Sequence, residues 1–431
     1  MKRFFGFNEH GTTYRKEFIA GLTTFLSMAY ILFVNPQILG EAGMDKGAVF
    51  VATALAAAIG TILMGVIANY PIALAPGMGL NAFFTYSVVM VMGIPWQTAL
   101  AGVLVSGLIF VAITLLKIRE AIINAIPQDL KYATASGIGL FIAFIGLKNA
   151  GIVTNNEATL VQLGDLTKAS TLLAIFGLIA VIVLMVRGVK GGIFYGMVLT
   201  AIVGVIFQVI PLPGAIVSSV PSLDPIFGQA IMHVDEIVTL DLIVVVLTFL
   251  FVSFFDTAGT LMAVATQAGF VKDNKLPRAG RALLADSSAI VFGSILGTST
   301  TTAYIESSSG VAAGGRTGFT SVVTAGFFVL ALLFSPLLAV VTPSVTAPVL
   351  IIVGVLMASV LGNIDWKRFE IAVPAFLTIV SMPLTYSIAT GIALGFILYP
   401  ITMIVKGNGK SVHPLMYFLF GIFILYFAFL A

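Results

Sequence analysis

The stretch "YPIALAPGMGLNAFFTYS" (70–87) is long and apolar enough to belong to a membrane span, yet its backbone does not favour an unbroken helix. It contains the helix-breaking residues Pro71, Pro76, Gly77 and Gly79. Non-helical backbone at membrane depth is tolerated only where surrounding protein or a wet cavity satisfies its polar groups. The stretch therefore predicts a broken span that is enclosed by other helices.

The rest of the chain has the composition of an all-α polytopic membrane protein. Of its 431 residues, 59% are hydrophobic and 9% are charged, whereas a typical soluble domain has about 25% charged residues. Apolar runs of spanning length recur along the chain. We expect 14 spans, at residues 18–39, 48–69, 72–92, 98–116, 132–149, 170–187, 192–210, 239–265, 279–297, 299–315, 318–341, 346–362, 369–385 and 387–405. A further apolar run, 414–430, forms either a fifteenth span or a helix along the interface.

The placement of Lys and Arg supports this count, because cytoplasmic loops retain positive charge. With the N-terminus inside the cell, 18 of the 21 Lys and Arg residues fall in cytoplasmic segments, and only Lys46, Lys148 and Lys168 fall outside. We therefore expect a protein of the cell membrane with a cytoplasmic N-terminus. No small-residue cleavage signal follows the first basic residues, so the first span is expected to be retained. The net charge of +3 then reflects topology, and no nucleic-acid partner is expected.

Several classes of chemistry are excluded or disfavoured. The chain has no cysteine, which excludes disulfides, thiol catalysis and cysteine-bound zinc. Its three histidines, His10, His233 and His413, lie near span ends or in loops and do not cluster, so we expect neither a metal centre nor another cofactor. No nucleophile–base pair and no metalloprotease spacing stands out, so an enzyme is not expected.

Fourteen spans divide into two sets of seven, and an odd number of spans per half inverts the second half in the membrane. Segment 23–43 resembles segment 247–269 in length, aromatic content and closing small-residue turn. The third span of the second half, "GTSTTTAYIESSSGVAAGGRTG" (297–318), is rich in threonine, which favours an extended piece before a short helix. Broken spans in corresponding positions point to a transporter's binding site. The alternative is that both breaks are kinks that help packing.

Two acids lie deep in the predicted membrane. Asp256 lies ~21 Å along the eighth span, near the middle of the bilayer, where a carboxylate costs at least ~2.5 kcal/mol. Thr260, four residues later, shares its helix face. Glu306 lies where the extended piece of 297–318 should give way to a helix, whose free N–H groups favour a carboxylate or a polar ligand. Asn81 is its counterpart in the first half, and we expect Asp256, Glu306 and Asn81 to meet at the midplane.

Structural roles are the alternatives for these residues. A buried acid can clamp two helices through hydrogen bonds to Ser or Thr, and Asn81 and Thr260 can do the same. We expect Asp286, near the inner end of the ninth span, to be structural. We expect Arg316, at the inner end of the tenth span, to mark the inner membrane boundary.

These residues lie in motifs that resemble a known family. "GLTTFLSMAYILFVNP" (21–36), "APGMGLNAFF" (75–84), "FFDTAGTL" (254–261) and "TTAYIESSSGVAAGGRTG" (301–318) resemble the AzgA-like purine permeases, a branch of the nucleobase–cation symporters related to the uracil and xanthine permeases. The resemblance runs over essentially the whole chain. It implies 14 transmembrane spans in two inverted seven-span repeats. It also implies short antiparallel strands and half-helices in spans three and ten that hold the base between them.

The resemblance further implies a core domain and a gate domain. Spans one to four (1–116) and eight to eleven (239–341) form the core. Spans five to seven (117–238) and twelve to fourteen with the C-terminal segment (342–431) form the gate. The gate often carries a dimer interface, so a homodimer is expected. The core is expected to move against the gate in an elevator-like way, with "AAGGRTG" (312–318) as a flexible point.

The resemblance also assigns residues. The acids of spans eight and ten correspond to Asp256 and Glu306, and the asparagine of span three corresponds to Asn81. Uracil-permease relatives carry a histidine at the position of Thr260, so Thr260 cannot take a proton-handling role here. The expected substrate-binding set is Asp256, Glu306, Asn81, Thr260, Gly79, Leu80, Tyr304, Ile305, Ser307 and Ser27.

The expected substrate is a neutral purine, and hypoxanthine or guanine is favoured over adenine. Its ring N–H groups can donate to Asp256 and Glu306, while Tyr, Phe and Ile side chains cover its flat faces. A carboxyl group that is taken out of water favours its neutral form, so Asp256, or else Glu306, is expected to carry a coupling proton. Three alternatives remain: an adenine-selective permease, a sodium-coupled transporter, and an anion transporter or channel of related fold. Two deep acids argue against the last.

Overall fold

The structure is a computed structural model that describes residues 1–116, 126–237, 240–271 and 276–429, without the side chains of 240–242, 244, 255, 256, 258, 426 and 429. The side chain of Asp256 therefore lies outside the described part. So do Lys117, Arg119, Lys272 and Lys275, which contributed to the predicted topology.

Helices make up most of the described chain. They are α1 Tyr14–Met28, α2 Ile31–Glu41, α3 Lys46–Leu63, α4 Met78–Ala82, α5 Trp96–Leu115, α6 Gln128–Asn149, α7 Ala169–Val186, α8 Gly192–Ile206, α9 Gln229–Met232, α10 Leu240–Gln267, α11 Ala279–Leu296, α12 Ser307–Ala312, α13 Gly318–Ala331, α14 Pro343–Ala358, α15 Phe369–Thr385, α16 Ile388–Val405 and α17 Pro414–Phe429. π-Helices continue α3 and α4 over Met64–Ala68 and Phe83–Val91, and 3-10 helices continue α13 and α14 over Leu332–Val340 and Ser359–Asn363. The strands are β1 Leu74–Pro76, β2 Val153–Asn156, β3 Leu160–Leu163 and β4 Thr301–Ala303.

Ten helical segments of the described chain have the length and apolar composition needed to cross a membrane, which confirms a multi-pass membrane protein. The expected spans at 72–92 and 299–315 are not among the ten, because each contains a strand followed by a short helix. Helices α8 and α15 are apolar but shorter than these ten segments. Every predicted span overlaps at least one of the helices or strands, while the count of 14 spans stays a prediction.

The two breaks that the sequence predicts are confirmed, and they meet. β1 and β4 pair antiparallel, with Leu74 opposite Ala303 and Pro76 opposite Thr301. Backbone hydrogen bonds of 2.9 and 3.0 Å just beyond the two ends of the pair extend the ladder. Pro76, which has no N–H to donate, is tolerated because it ends its strand. A half-helix then follows each strand, α4 after β1 and α12 after β4.

Surrounding helices enclose the β1–β4 pair, which would be at best marginally stable in isolation. Helices α3 and α11 pack against β1, and α10 and α11 pack against β4. On α3, the hydroxyl of Thr61 accepts from the N–H of Leu74 at 2.9 Å and donates to the carbonyl of the same residue at 3.0 Å. The pair is thus a buried junction between the first and second halves of the chain.

Glycines let neighbouring helices approach closely. In α1, Gly21 faces the carbonyl of Thr320 on α13, and in α6, Gly139 faces the backbone of Gly354 on α14. Helix α6 also packs on α15, and α15 packs on α16. The chain therefore contains two groups of closely packed helices. In one, α1 packs on α13; in the other, α6 packs on α14 to α16. Their assignment to core and gate domains stays a prediction.

One element was not expected from the sequence. β2 and β3 form an antiparallel hairpin between α6 and α7. The side-chain carbonyl of Asn156 organises its turn by accepting from the N–H groups of Ala158 at 2.8 Å and Thr159 at 3.0 Å. The hairpin is largely exposed and has no long apolar run, which is why hydropathy does not reveal it.

Candidate binding site

The buried strand pair brings two half-helices together. Because the strands are antiparallel, α4 begins near the first residue of β4, and α12 begins near the first residue of β1. Asn81 lies on α4, and Glu306 immediately precedes α12. The strand pair therefore joins the two regions that carry the predicted polar residues of spans three and ten.

Asn81 is completely buried and only partly satisfied. Its side-chain carbonyl accepts a hydrogen bond from the hydroxyl of Ser299, which lies just before β4. Within the described chain, its Nδ2 is buried and has no hydrogen-bond partner. A buried polar atom without a partner costs about 1–3 kcal/mol, so the amide is suited to an external group that would complete its hydrogen bonding.

Glu306 is half-buried and keeps acceptor capacity. Tyr30 donates its hydroxyl hydrogen to Glu306 Oε1 at 2.5 Å, and among the described side chains it alone donates to this carboxyl group. An ionised carboxylate has two oxygens and about four lone-pair sites. One hydroxyl therefore leaves room for at least one N–H donor from a ligand. Sequence reasoning missed Tyr30 as a partner, although it lies in the quoted motif 21–36.

The neighbourhood of Asp256 is defined by the next residue. Thr257 is buried, donates to Asp286 Oδ1 at 3.0 Å and lies 3.0 Å from the hydroxyl of Thr302 on β4. Helix α10 therefore meets strand β4 one residue after Asp256. Asp286, on α11, accepts this bond from the neighbouring helix α10, while the structural role we expect for it stays a prediction. Sequence reasoning missed Thr257, because it asked which residues share a helix face with Asp256 and so selected Thr260.

Two predicted residues close the strand pair rather than face open space. Tyr304 is buried, and its hydroxyl donates to the carbonyl of Pro76 at 2.5 Å, across from β4 to β1. The hydroxyl of Ser307, also buried, accepts from the N–H of Ala73 at 3.0 Å. Both side chains hold the two broken spans together in this structure.

The remaining predicted residues have varied surroundings. Ser27 donates to the carbonyl of Thr23 at 2.9 Å on its own helix. A β-carbon on Gly79 would come within 2.6 Å of Ile138 Cγ2, so this glycine allows α4 to approach α6. Leu80 is buried, Thr260 is half-buried and Ile305 is 43% exposed. Their contact with a substrate stays a prediction.

Glu17, at the start of α1, is a buried acid that sequence reasoning missed. Its carboxylate accepts from the backbone N–H of Arg316 at 3.0 Å and from the hydroxyls of Thr317 at 2.9 Å and Thr320 at 2.5 Å. The N–H of Thr317 lies 3.3 Å away and adds a fourth bond. Three of the four donors come from the junction between α12 and α13, and the hydroxyl of Thr320 comes from the first turn of α13. Glu17 is therefore satisfied by its own protein, and it clamps α1 to this junction.

The same junction contains two further features of interest. In the segment 312–318, which we expect to be a flexible point, the N–H of Gly318 donates to Asn69 Oδ1 at 2.7 Å, besides the Glu17 bonds. The guanidinium of Arg316 donates to the carbonyls of Val311 at 2.6 Å and Gly315 at 2.7 Å and so caps the end of α12. The flexibility of the segment and the position of Arg316 at the inner membrane boundary stay predictions.

No described group of three or more His, Asp or Glu side chains is arranged to hold a metal ion. The site is a buried, mostly neutral junction. It contains Nδ2 of Asn81, which has no described partner, and the carboxyl group of Glu306, which accepts one hydrogen bond from Tyr30. Such a set can bind a flat polar molecule through both its donors and its acceptors.

Comparison with known families and sequences gives one consistent result. Residues 15–394 match the family described as "Permease family" (Xan_ur_permease). The chain is 64% identical to the guanine/hypoxanthine permease PbuG of Bacillus subtilis, with full coverage of both chains. It is 46% identical to the adenine permease AdeQ of Escherichia coli, over 96% of this chain and 93% of that one.

Solved structures share the fold at low sequence identity. The transmembrane domain of the cyanobacterial bicarbonate transporter BicA aligns with a TM-score of 0.65 at 17% identity, covering 87% of this chain and 97% of that one. SLC26A9 aligns with a TM-score of 0.64 at 11% identity, covering 93% of this chain and 66% of that one. These likenesses concern the fold alone.

Proposed function

The chain belongs to the Permease family and is a membrane permease, not an enzyme; from this premise we propose that it imports purine nucleobases together with protons. Hypoxanthine and guanine are the proposed substrates, because the relative at 64% identity is named for them and the adenine permease is more distant, at 46%. A purine base is a flat molecule whose edge carries both N–H donors and N or O acceptors, which sets what a binding site must offer.

The observation that carries this proposal is the chemistry on either side of the β1–β4 pair. The amide of Asn81 has a buried atom without a partner, and Glu306 has one side-chain donor among the described residues. An amide and a carboxylate together can complement a purine edge. A small inorganic anion would be repelled by the carboxylate, so this site does not favour anion binding.

We assign the remaining roles as follows. Asp256 and Glu306 accept N–H groups of the base, Asn81 completes a second contact, and Tyr304 and Ile305 lie against its faces. Asp256, more than Glu306, carries the coupling proton, because a carboxyl group away from water favours its protonated form. The further members of the proposed set are Thr260, Gly79, Leu80, Ser307 and Ser27.

The proposed architecture has 14 spans, with the N-terminus in the cytoplasm and the protein in the cell membrane. The core (1–116 and 239–341) moves against the gate (117–238 and 342–431) and carries the site across the bilayer. A homodimer forms through the gate. The packing of α6 on α14 and α15, which all fall in the proposed gate, supports this division.

Competition for uptake tests the substrate. Labelled hypoxanthine is offered to a purine-transport-deficient cell that expresses the chain, with unlabelled guanine, adenine, xanthine or uracil in excess. We expect guanine and hypoxanthine to compete strongly and adenine less. Strong competition by uracil alone would contradict the purine assignment, and strong competition by adenine alone would indicate an adenine-selective permease.

Proton coupling is tested at Asp256. In Asp256→Asn we expect concentrative, pH-driven hypoxanthine uptake to be lost while counterflow exchange of the base continues. Intact pH-driven uptake in this variant would refute coupling at this residue. Replacement of sodium by choline at fixed pH, in the unsubstituted chain, separates proton coupling from sodium coupling.

A further inference from the structure

Span one carries a buried tyrosine near its middle. Helices α1 and α2 meet at Ala29 and Tyr30, which keep helical backbone angles, so that Tyr14–Glu41 runs as one helical segment. Tyr30 is 1% exposed. Span one therefore brings an aromatic hydroxyl to the buried region to which the broken spans three and ten contribute.

The hydroxyl of Tyr30 is directed at a site residue and not at backbone. It donates to Glu306 Oε1 at 2.5 Å, across 276 residues of sequence. Two other buried tyrosines among the described residues have backbone acceptors: the hydroxyl of Tyr70 donates to the carbonyl of Pro277, and that of Tyr304 donates to the carbonyl of Pro76. Backbone acceptors suffice for a packing role, so the carboxyl partner of Tyr30 calls for another explanation.

We propose that Tyr30 is a specificity-determining residue that restricts Glu306 to one free oxygen for the base. This inference rests on the proposed function. A carboxylate with two free oxygens can accept two adjacent N–H groups side by side. Guanine presents such a pair in its N1–H and 2-amino groups, whereas hypoxanthine has N1–H next to a C–H. Tyr30 occupies one lone-pair site of Oε1 and fixes the orientation of the carboxyl group, so the base meets Oε2 as the one oxygen without a described side-chain donor, and the second donor of guanine gains little there.

The substitution Tyr30→Phe tests this role, because it removes the hydroxyl and keeps the ring. The readout is the ratio of the inhibition constants of unlabelled guanine and hypoxanthine against labelled hypoxanthine uptake. Freeing Oε1 gives guanine a second hydrogen bond to a charged acceptor, so we expect the ratio to shift about tenfold toward guanine. If Tyr30→Phe folds poorly, Tyr30→Met replaces it in the test, because the flexible methionine side chain fills irregular space. Tyr30→Met also lacks the hydroxyl, so it should shift the ratio in the same direction.

The matched control is Tyr70→Phe, the same chemical change at a tyrosine that donates to backbone. We expect it to leave the ratio unchanged, even if it lowers the amount of protein in the membrane. A loss of packing in the Tyr30 variants would weaken both bases equally, so an unchanged ratio in them would overturn the proposal. Failure of the unsubstituted chain to take up any purine would instead contradict the proposed function, and the inference with it.

Discussion

Two acids of this protein, Glu17 and Glu306, both lie beside the α12 helix, one near its end and one at its start. At the far junction, Glu17 accepts four hydrogen bonds from residues 316–320 and is 0% exposed. Beside the strand pair, Glu306 is half-buried and accepts one hydrogen bond from another described residue, Tyr30, besides that of its own backbone N–H. The number of donors supplied by the protein separates a clamp from a ligand acceptor, because a saturated carboxylate has little left to offer a substrate.

The largest effect expected from this comparison is in Glu306→Gln. The new side-chain carbonyl can still accept from Tyr30, so the fold should be kept, but the substrate would meet an uncharged amide. We expect hypoxanthine uptake to fall about a hundredfold, with little change in the melting midpoint of the purified protein. Labelled uptake, normalised to the amount of protein in the membrane, measures it.

The matched control for this change is Glu157→Gln, which makes the same substitution at an exposed loop residue. It should leave both uptake and melting unchanged. Near-normal uptake by Glu306→Gln would place Glu306 with Glu17 among the structural acids, and the comparison between them would fail.

The converse effect is expected in Glu17→Gln. Four donors would then converge on a side chain that has one acceptor oxygen and an NH2 group of its own. We expect a loss of about 2 kcal/mol in stability, seen as a lower melting midpoint of the detergent-purified protein. The ratio of guanine to hypoxanthine inhibition constants should stay the same in the folded fraction. A changed ratio with unchanged melting would show that Glu17 acts on substrate and not as a clamp.

Sequence reasoning located the helices and both interrupted spans because their signals are local. Apolar runs mark the helices, Pro76 and Gly77 mark the break before α4, and the threonines of β4 mark the other. The antiparallel pairing of the strands was implied by the family resemblance and is seen in the structure. These features depend on residues that are neighbours in the chain.

The partners of the acids could not be predicted in the same way, because they are distant in sequence. Tyr30 and Glu306 are 276 residues apart, and Glu17 and Thr320 are 303 apart. A single sequence does not show which of its many buried hydroxyls meets which carboxylate. For the same reason, the glycines of 312–318 could not show that Glu17 binds the backbone N–H of Arg316 in their segment.

The smallest effect is expected in Asn81→Ala. This variant tests whether Asn81 is a structural clamp, as Glu17 is, or a substrate contact, as Glu306 is proposed to be. The amide makes a hydrogen bond with Ser299 and also keeps a buried atom without a partner. Removal of the amide loses the hydrogen bond with Ser299 but also removes the buried atom that has no partner. The two effects oppose each other, so the melting midpoint should change little. If the free atom serves the base, the apparent affinity for hypoxanthine should weaken about tenfold, as measured by the concentration dependence of uptake.

Ser299→Ala is the companion variant, because it removes the protein partner of Asn81 and leaves the amide in place. It should weaken hypoxanthine less than Asn81→Ala does, since the atom proposed to meet the base remains. If instead Asn81→Ala lowers the melting midpoint and leaves affinity unchanged, Asn81 behaves as Glu17 does, as a clamp between the two broken spans. Glu306 would then be the single described residue whose hydrogen bonding indicates a substrate contact. The proposal that Asn81 and Glu306 together bind the purine edge would be wrong.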